Sequence, residues 1–133
     1  MKLSERIELG VELYGARLRP DAYATLMGSN VCSVCLLTAA ALSVDQDEKE
    51  IVDYVMVEGI YDDPDFDETQ TYFYEDYDNL DEYIHDKLET VIVPVRNPVT
   101  GTHETAYAAI ISLYDEYHWS PERIIAWLKE QGL

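Results

Sequence analysis

Cys32 and Cys35 stand at C-x2-C spacing, which suits half of a tetrahedral zinc site or a thiol redox pair. A structural zinc needs further ligands, and the soft donors left, His85, His103 and His118, stand neither at the spacing of a ligand pair nor beside another cysteine. A redox cysteine needs positive charge close by to lower its thiol pKa. Here Val31, Val34, Leu36 and Leu37 surround the pair, with no Lys or Arg. The two cysteines therefore read as small apolar residues one helical turn apart in the core.

The Asp-rich stretch invites a calcium loop. Counting from Asp63, Asp65 and Asp67 fall on ligand positions, but Glu68 stands where the chain must turn on a glycine and Tyr74 where a bidentate Glu is required. Carboxylates are too many for one acid/base pair to stand out. The chain lacks a Gly-rich phosphate loop, a G-x-S-x-G elbow and an HExxH motif. His85 and His118 are lone histidines. The expectation is a non-enzymatic protein with no catalytic residue, metal ligand or cofactor. The closing pair of helices does not read DNA, because Arg123 and Lys129 are balanced by Glu122 and Glu130.

Charge is the more informative chemistry. The chain has 133 residues, 27 acidic and 9 basic, for a net charge of -18, with 47% apolar residues. That is the size of a single domain, read here as residues 1–133, and apolar enough to build a core. Such a surface repels phosphate backbones and anionic lipids, so neither nucleic acid nor membrane is expected as a direct partner. From Asp45 to Glu89 there are 18 acidic residues and two basic ones, Lys49 and Lys87, a net of -16. The flanks carry nine acids and seven bases, a net of -2. Adaptation to salt would spread acid over every face. A solvating tail would lack aromatics, whereas this segment holds Phe66, Phe73 and six of the 11 tyrosines.

The acidic, Tyr-rich segment 45–90 is thus the expected working surface. Its partner-binding candidates are Asp62, Asp63, Asp65, Asp67, Glu68, Tyr72, Tyr74, Glu75, Asp76, Tyr77, Asp78, Asp81 and Glu82. Carboxylates interleaved with tyrosines imitate the field of a nucleic-acid backbone, so the expected partner is a basic, nucleic-acid-binding protein. The function expected is that of a nucleic-acid mimic or inhibitor, of the kind aimed at defence systems. The alternative is a small accessory protein that binds through an apolar surface, its acid serving solubility; a divalent-cation sensor is a third class. A homodimer is left open. The N-terminus has no long apolar core and Val31 to Val44 is too short to span a bilayer, so a cytoplasmic location is expected.

The elements that must carry this surface follow from local signals. Ser4 to Tyr14 reads as a helix capped by Ser4, and Pro20-Asp21 opens a second helix ending near Gly28. Asn30 caps a third, apolar helix, Val31 to Leu42, at the centre of the fold. Asp45 or Asp47 starts a segment through Ile51 to Val57 whose periodicity fits either a helix or a strand. Gly59 to Thr71 reads as a loop, Thr71 to Tyr74 as a strand, and Leu80 to Leu88 as a helix opened by Asp78 or Asn79. Thr90 to Val95 is the strongest strand signal, placed at an edge by Pro94. A turn over Asn97 to Gly101 leads to a helix capped by Thr102 or Thr105 and running to about Tyr117. Ser120-Pro121-Glu122 opens the last helix, and Trp119 and Trp127 close a C-terminal hairpin on the core. The fold class is α+β and mostly helical: N-terminal helices, a small antiparallel sheet of Tyr72 to Tyr74 with Val91 to Val95, and a C-terminal helical pair.

The span Ile110 to Leu128, closing on His118-Trp119-Ser120-Pro121-Glu122-Arg123-Ile124-Ile125-Ala126-Trp127, resembles the C-terminus of small bacterial and phage proteins of no established activity. Their ending combines His-Leu-Asn-Asp with Trp-Ser/Thr-x-Glu-x-Ile-x-x-Trp. Ser4 to Gly10, Pro20 to Tyr23 and Val31 to Ala41 are similar to their opening segments. In that family a Cys-Pro-x-Cys pair and two histidines look like a zinc knuckle. Here Val93-Pro94-Val95-Arg96 stands in place of the cysteines, and Ser112 and Tyr117 in place of the histidines. The resemblance implies that apolar packing replaces the metal; it bears on the fold alone.

Overall fold

The computed structural model of the chain describes residues 1–20, 23–27, 30–57, 71–74 and 78–133. Among the described residues six helices, α1 (Leu3–Tyr14), α2 (Leu36–Leu42), α3 (Glu48–Val57), α4 (Asp78–Lys87), α5 (Ala106–Ile111) and α6 (Pro121–Glu130), combine with five strands. These are β1 (Ala24–Met27), β2 (Asn30–Val34), β3 (Thr71–Tyr74), β4 (Pro94–Arg96) and β5 (His103–Thr105). The fold is α+β and mostly helical, as its composition implies.

The centre is α2, every residue of which is buried. It is shorter than the helix expected from its apolar run, because Val31 to Val34 belong to strand β2. The run is apolar on all faces, which suits a half-buried strand feeding a buried helix as well as one long helix. The helix cap is Cys35, whose Sγ accepts a hydrogen bond from the Thr38 N–H at 3.4 Å. Cys32, on β2, is half-buried, so the cysteines are not one helical turn apart; both are free thiols. The second expected helix is overturned as well. Ala24–Met27 is the central strand of an antiparallel sheet ordered β2-β1-β3, with Ala24 opposite both Val34 and Tyr74.

Helix α1 lies so close to α2 that a Cβ on Gly10 would stand 2.7 Å from the Ala39 carbonyl carbon and the Ala40 nitrogen. Ser4 does not cap α1. It is buried inside the first turn, and its Oγ donates to the Leu133 carbonyl at 2.7 Å. The segment through Ile51 to Val57 is a helix, with Asp47 Oδ1 accepting from the Lys49 N–H just before it. β3 and α4 fall where the sequence places them.

The strand expected over Thr90 to Val95 is confined to Pro94–Arg96, since Glu89–Ile92 forms a 3-10 turn that buries Val91 and exposes Ile92. Among the described residues β4 pairs only with β5, Pro94 opposite Thr105, so the single expected sheet is two separate ones. The turn between them is held by Asn97, whose Oδ1 accepts from the N–H groups of Val99 and Thr100, while Gly101 takes a φ of 73°. Thr105 caps α5 and Ser120 caps α6, each through its hydroxyl. Between them Ser112–Glu116 widens into a π-turn and His118 adopts a φ of 54°. Trp127 is buried, and Arg123 stacks 3.8 Å over the half-buried Trp119. Helix α6 packs chiefly on α1 and also meets the π-turn.

Candidate partner-binding site

Of the expected binding residues, Asp62, Asp63, Asp65, Asp67, Glu68, Glu75, Asp76 and Tyr77 lie outside the described residues, as does the expected loop from Gly59 up to residue 70. Tyr72 and Tyr74 belong to β3, and Asp78, Asp81 and Glu82 to α4.

The two ends of the acidic segment meet. α3 packs against α4, and Lys87, near the end of α4, reaches across 42 residues to Asp45 at 2.8 Å and across 37 to Glu50 at 2.9 Å. The helix faces draw together because Ile51 on α3 and Leu80, Tyr83 and Ile84 on α4 are all buried in the core. The ammonium lies 5.9 Å from the centre of the Tyr83 ring. Hydrogen bonds to Asp45 and Glu50 raise the Lys87 pKa despite some desolvation. The Lys87 hydrogen bond, helped by the Asp47 N–H, holds the Asp45 carboxyl below its usual range. One of the two bases of the segment is thus spent inside it. Arg17 ties the start of α3 to the turn after α1 through a two-pronged pair with Glu48 at 2.7 and 3.1 Å.

Asp81 and Glu82 are adjacent but differently placed. Glu82 is exposed. Asp81 is half-buried near Tyr107 of α5, whose hydroxyl is hydrogen-bonded to the Tyr23 hydroxyl. The His85 ring lies against Tyr107, centroids 4.4 Å apart, and its Nδ1 donates to the Asp81 carbonyl oxygen at 2.8 Å. Burial, followed by the neighbouring Asp81 and Tyr23, raises the Tyr107 pKa. The arrangement anchors α4 to α5 and to the residue entering β1. Sequence reasoning missed it, and a tyrosine in the Ala-rich start of α5 is the one signal that could have suggested it. Lys87 had a clearer signal, as one of two bases among 18 acids.

Among the described residues no group of three His, Cys, Asp or Glu side chains is placed to hold a metal ion, and no helix is long and apolar enough to cross a membrane. Compared with protein-family models, with curated proteins and with solved structures, the chain matches none.

Proposed function

We propose that this chain is a non-catalytic, cytoplasmic binding protein that presents the acidic segment 45–90 to the basic surface of a nucleic-acid-handling protein, in place of the nucleic acid. The observation that carries the reading is the Lys87 clamp. It joins Asp45 and Glu50, at the start of the segment, to Lys87 near its end, and the segment 45–89 that they bound carries a net charge of -16. A concentrated negative field steers a basic partner into encounter and discriminates against acidic ones. The tyrosines add surfaces that stack or donate hydrogen bonds.

The test is competition. A labelled DNA duplex held by a purified basic DNA-binding protein is challenged with this chain, and with a variant carrying Asp62, Asp63, Asp65, Asp67 and Glu68 as Asn or Gln. Displacement by the native chain, weakened by added salt and lost in the variant, is expected. Displacement that survives both salt and neutralisation would favour the accessory reading, in which an apolar surface makes the contact.

A further inference from the structure

Outside the acidic segment, α1 and α6 run antiparallel, with Glu8 of α1 paired to Lys129 of α6 at 2.6 Å. Beside that pair a groove of about 360 Å³ opens between the helices, lined by Glu8, Val11, Glu122, Ile125, Ala126 and Lys129. Its floor is apolar: Val11 is half-buried, Ile125 is buried and Ala126 is exposed. Its rim is not neutral. Lys129 is the only cation lining it and is already held by Glu8, whereas Glu122 is exposed with no ion pair among the described residues. Glu12, one turn beyond Glu8 on the same face of α1, is likewise exposed, with no ion pair among the described residues. An apolar trough bordered by uncompensated carboxylates complements an apolar side chain flanked by cations.

We propose that the α1/α6 groove is a docking site for a basic amphipathic helix of a partner protein, its apolar residues seated on Val11, Ile125 and Ala126 and its Lys or Arg residues facing Glu12 and Glu122. This is helix-in-groove recognition, in which residues one turn apart provide the anchors. It rests on the reading that the partner is basic, but on a surface separate from segment 45–90.

The probe is a synthetic Leu/Lys peptide with a helical apolar stripe. Its control is a scrambled peptide of the same composition and charge but no stripe. Each is titrated into the isotope-labelled full chain. Amide shifts are expected to gather at Val11, Glu12, Glu122, Ile125 and Ala126. Binding is expected to fall about tenfold for the scrambled peptide and for Ala126→Trp, which fills the groove from an exposed position. Glu12→Gln with Glu122→Gln weakens it without adding bulk, and serves if Ala126→Trp does not fold. Equal binding of both peptides, shifts confined to residues 45–89, or unchanged affinity in the groove variants would overturn the proposal. So would a native dimer that Ala126→Trp dissociates, since the occupant would then be a second copy. Loss of DNA displacement on neutralising the acidic segment bears only on the mimic reading, and peptide shifts at Ala126 bear only on the groove.

Discussion

Gly10 and Ala39 meet backbone to backbone: a methyl group on Gly10 would stand 2.7 Å from the carbonyl carbon of Ala39. Alanine is ordinarily favoured over glycine inside a helix by about 1 kcal/mol. Here the obstructing atoms are main chain of the buried α2 and cannot rotate aside, so the helices must part. Gly10→Ala is expected to lower stability by about 2 kcal/mol, in the range for overpacked cores. Gly15→Ala provides the control, since nothing lies within 4 Å of its added carbon and its backbone is right-handed helical. Thermal melts should show a lower Tm for the first variant and an equal or higher one for the second.

Lys87→Met leaves Asp45 and Glu50 facing each other without a cation. The Lys87 side chain is 21% exposed, so the cost should fall between the limits for exposed and buried pairs, about 1–2 kcal/mol. Urea denaturation should show the loss, and added salt should restore part of it by screening the carboxylates.

The same pair governs the acid limb. A depressed carboxyl pKa stabilises the fold above the unfolded-state value, near 4, and that contribution is lost as the pH falls through the folded-state value. Protonation elsewhere meanwhile relieves the repulsion of a chain with net charge -18. Tm is therefore expected to rise from pH 7 to about 5 and to drop below about pH 4. The drop should be smaller in Lys87→Met, where Asp45 has lost the partner that depresses it.

At the alkaline end the sign reverses. Burial is the leading cause that raises the Tyr14, Tyr83, Tyr107 and Tyr114 hydroxyls, Tyr114 to about 12, and burial also raises the Cys35 thiol. Groups with raised folded-state pKa values stabilise below the unfolded value, about 10 for tyrosine, and lose that contribution as the pH climbs through the folded value. Of the 11 tyrosines, these four should ionise only as the fold is lost, in one step seen both in phenolate absorbance and in circular dichroism. Smooth ionisation of all of them with an unchanged circular dichroism spectrum would contradict this.

Tyr107→Phe keeps the ring beneath His85 but removes the hydroxyl bonded to Tyr23. A lost hydrogen bond at a partly buried site costs about 1–2 kcal/mol. Amide exchange should quicken in α5 and at Tyr23, the segments that the hydroxyl joins, while α1 and α6 stay protected.

What could be read from the chain alone had local causes. The Ser120-Pro121 opening, the Thr105 cap, the Asn97 to Gly101 turn and the buried faces of α5 and α6 each depend on residues within a turn or two of each other. The concentration of acid in residues 45–89 is likewise a property of the linear sequence. Strand pairing is not local. Val31 to Val34 could continue a helix until Ala24–Met27 lies beside them, and Thr90 to Ile92 have strand-forming side chains yet turn so that Val91 is buried where this turn packs on α4 and α5. The joining of Lys87 to Asp45 and Glu50, and of Tyr107 to Tyr23 across 84 residues, was decided by tertiary packing alone. Such contacts gain their energy only after the core has brought distant helices within reach, and no spacing along the chain encodes that distance.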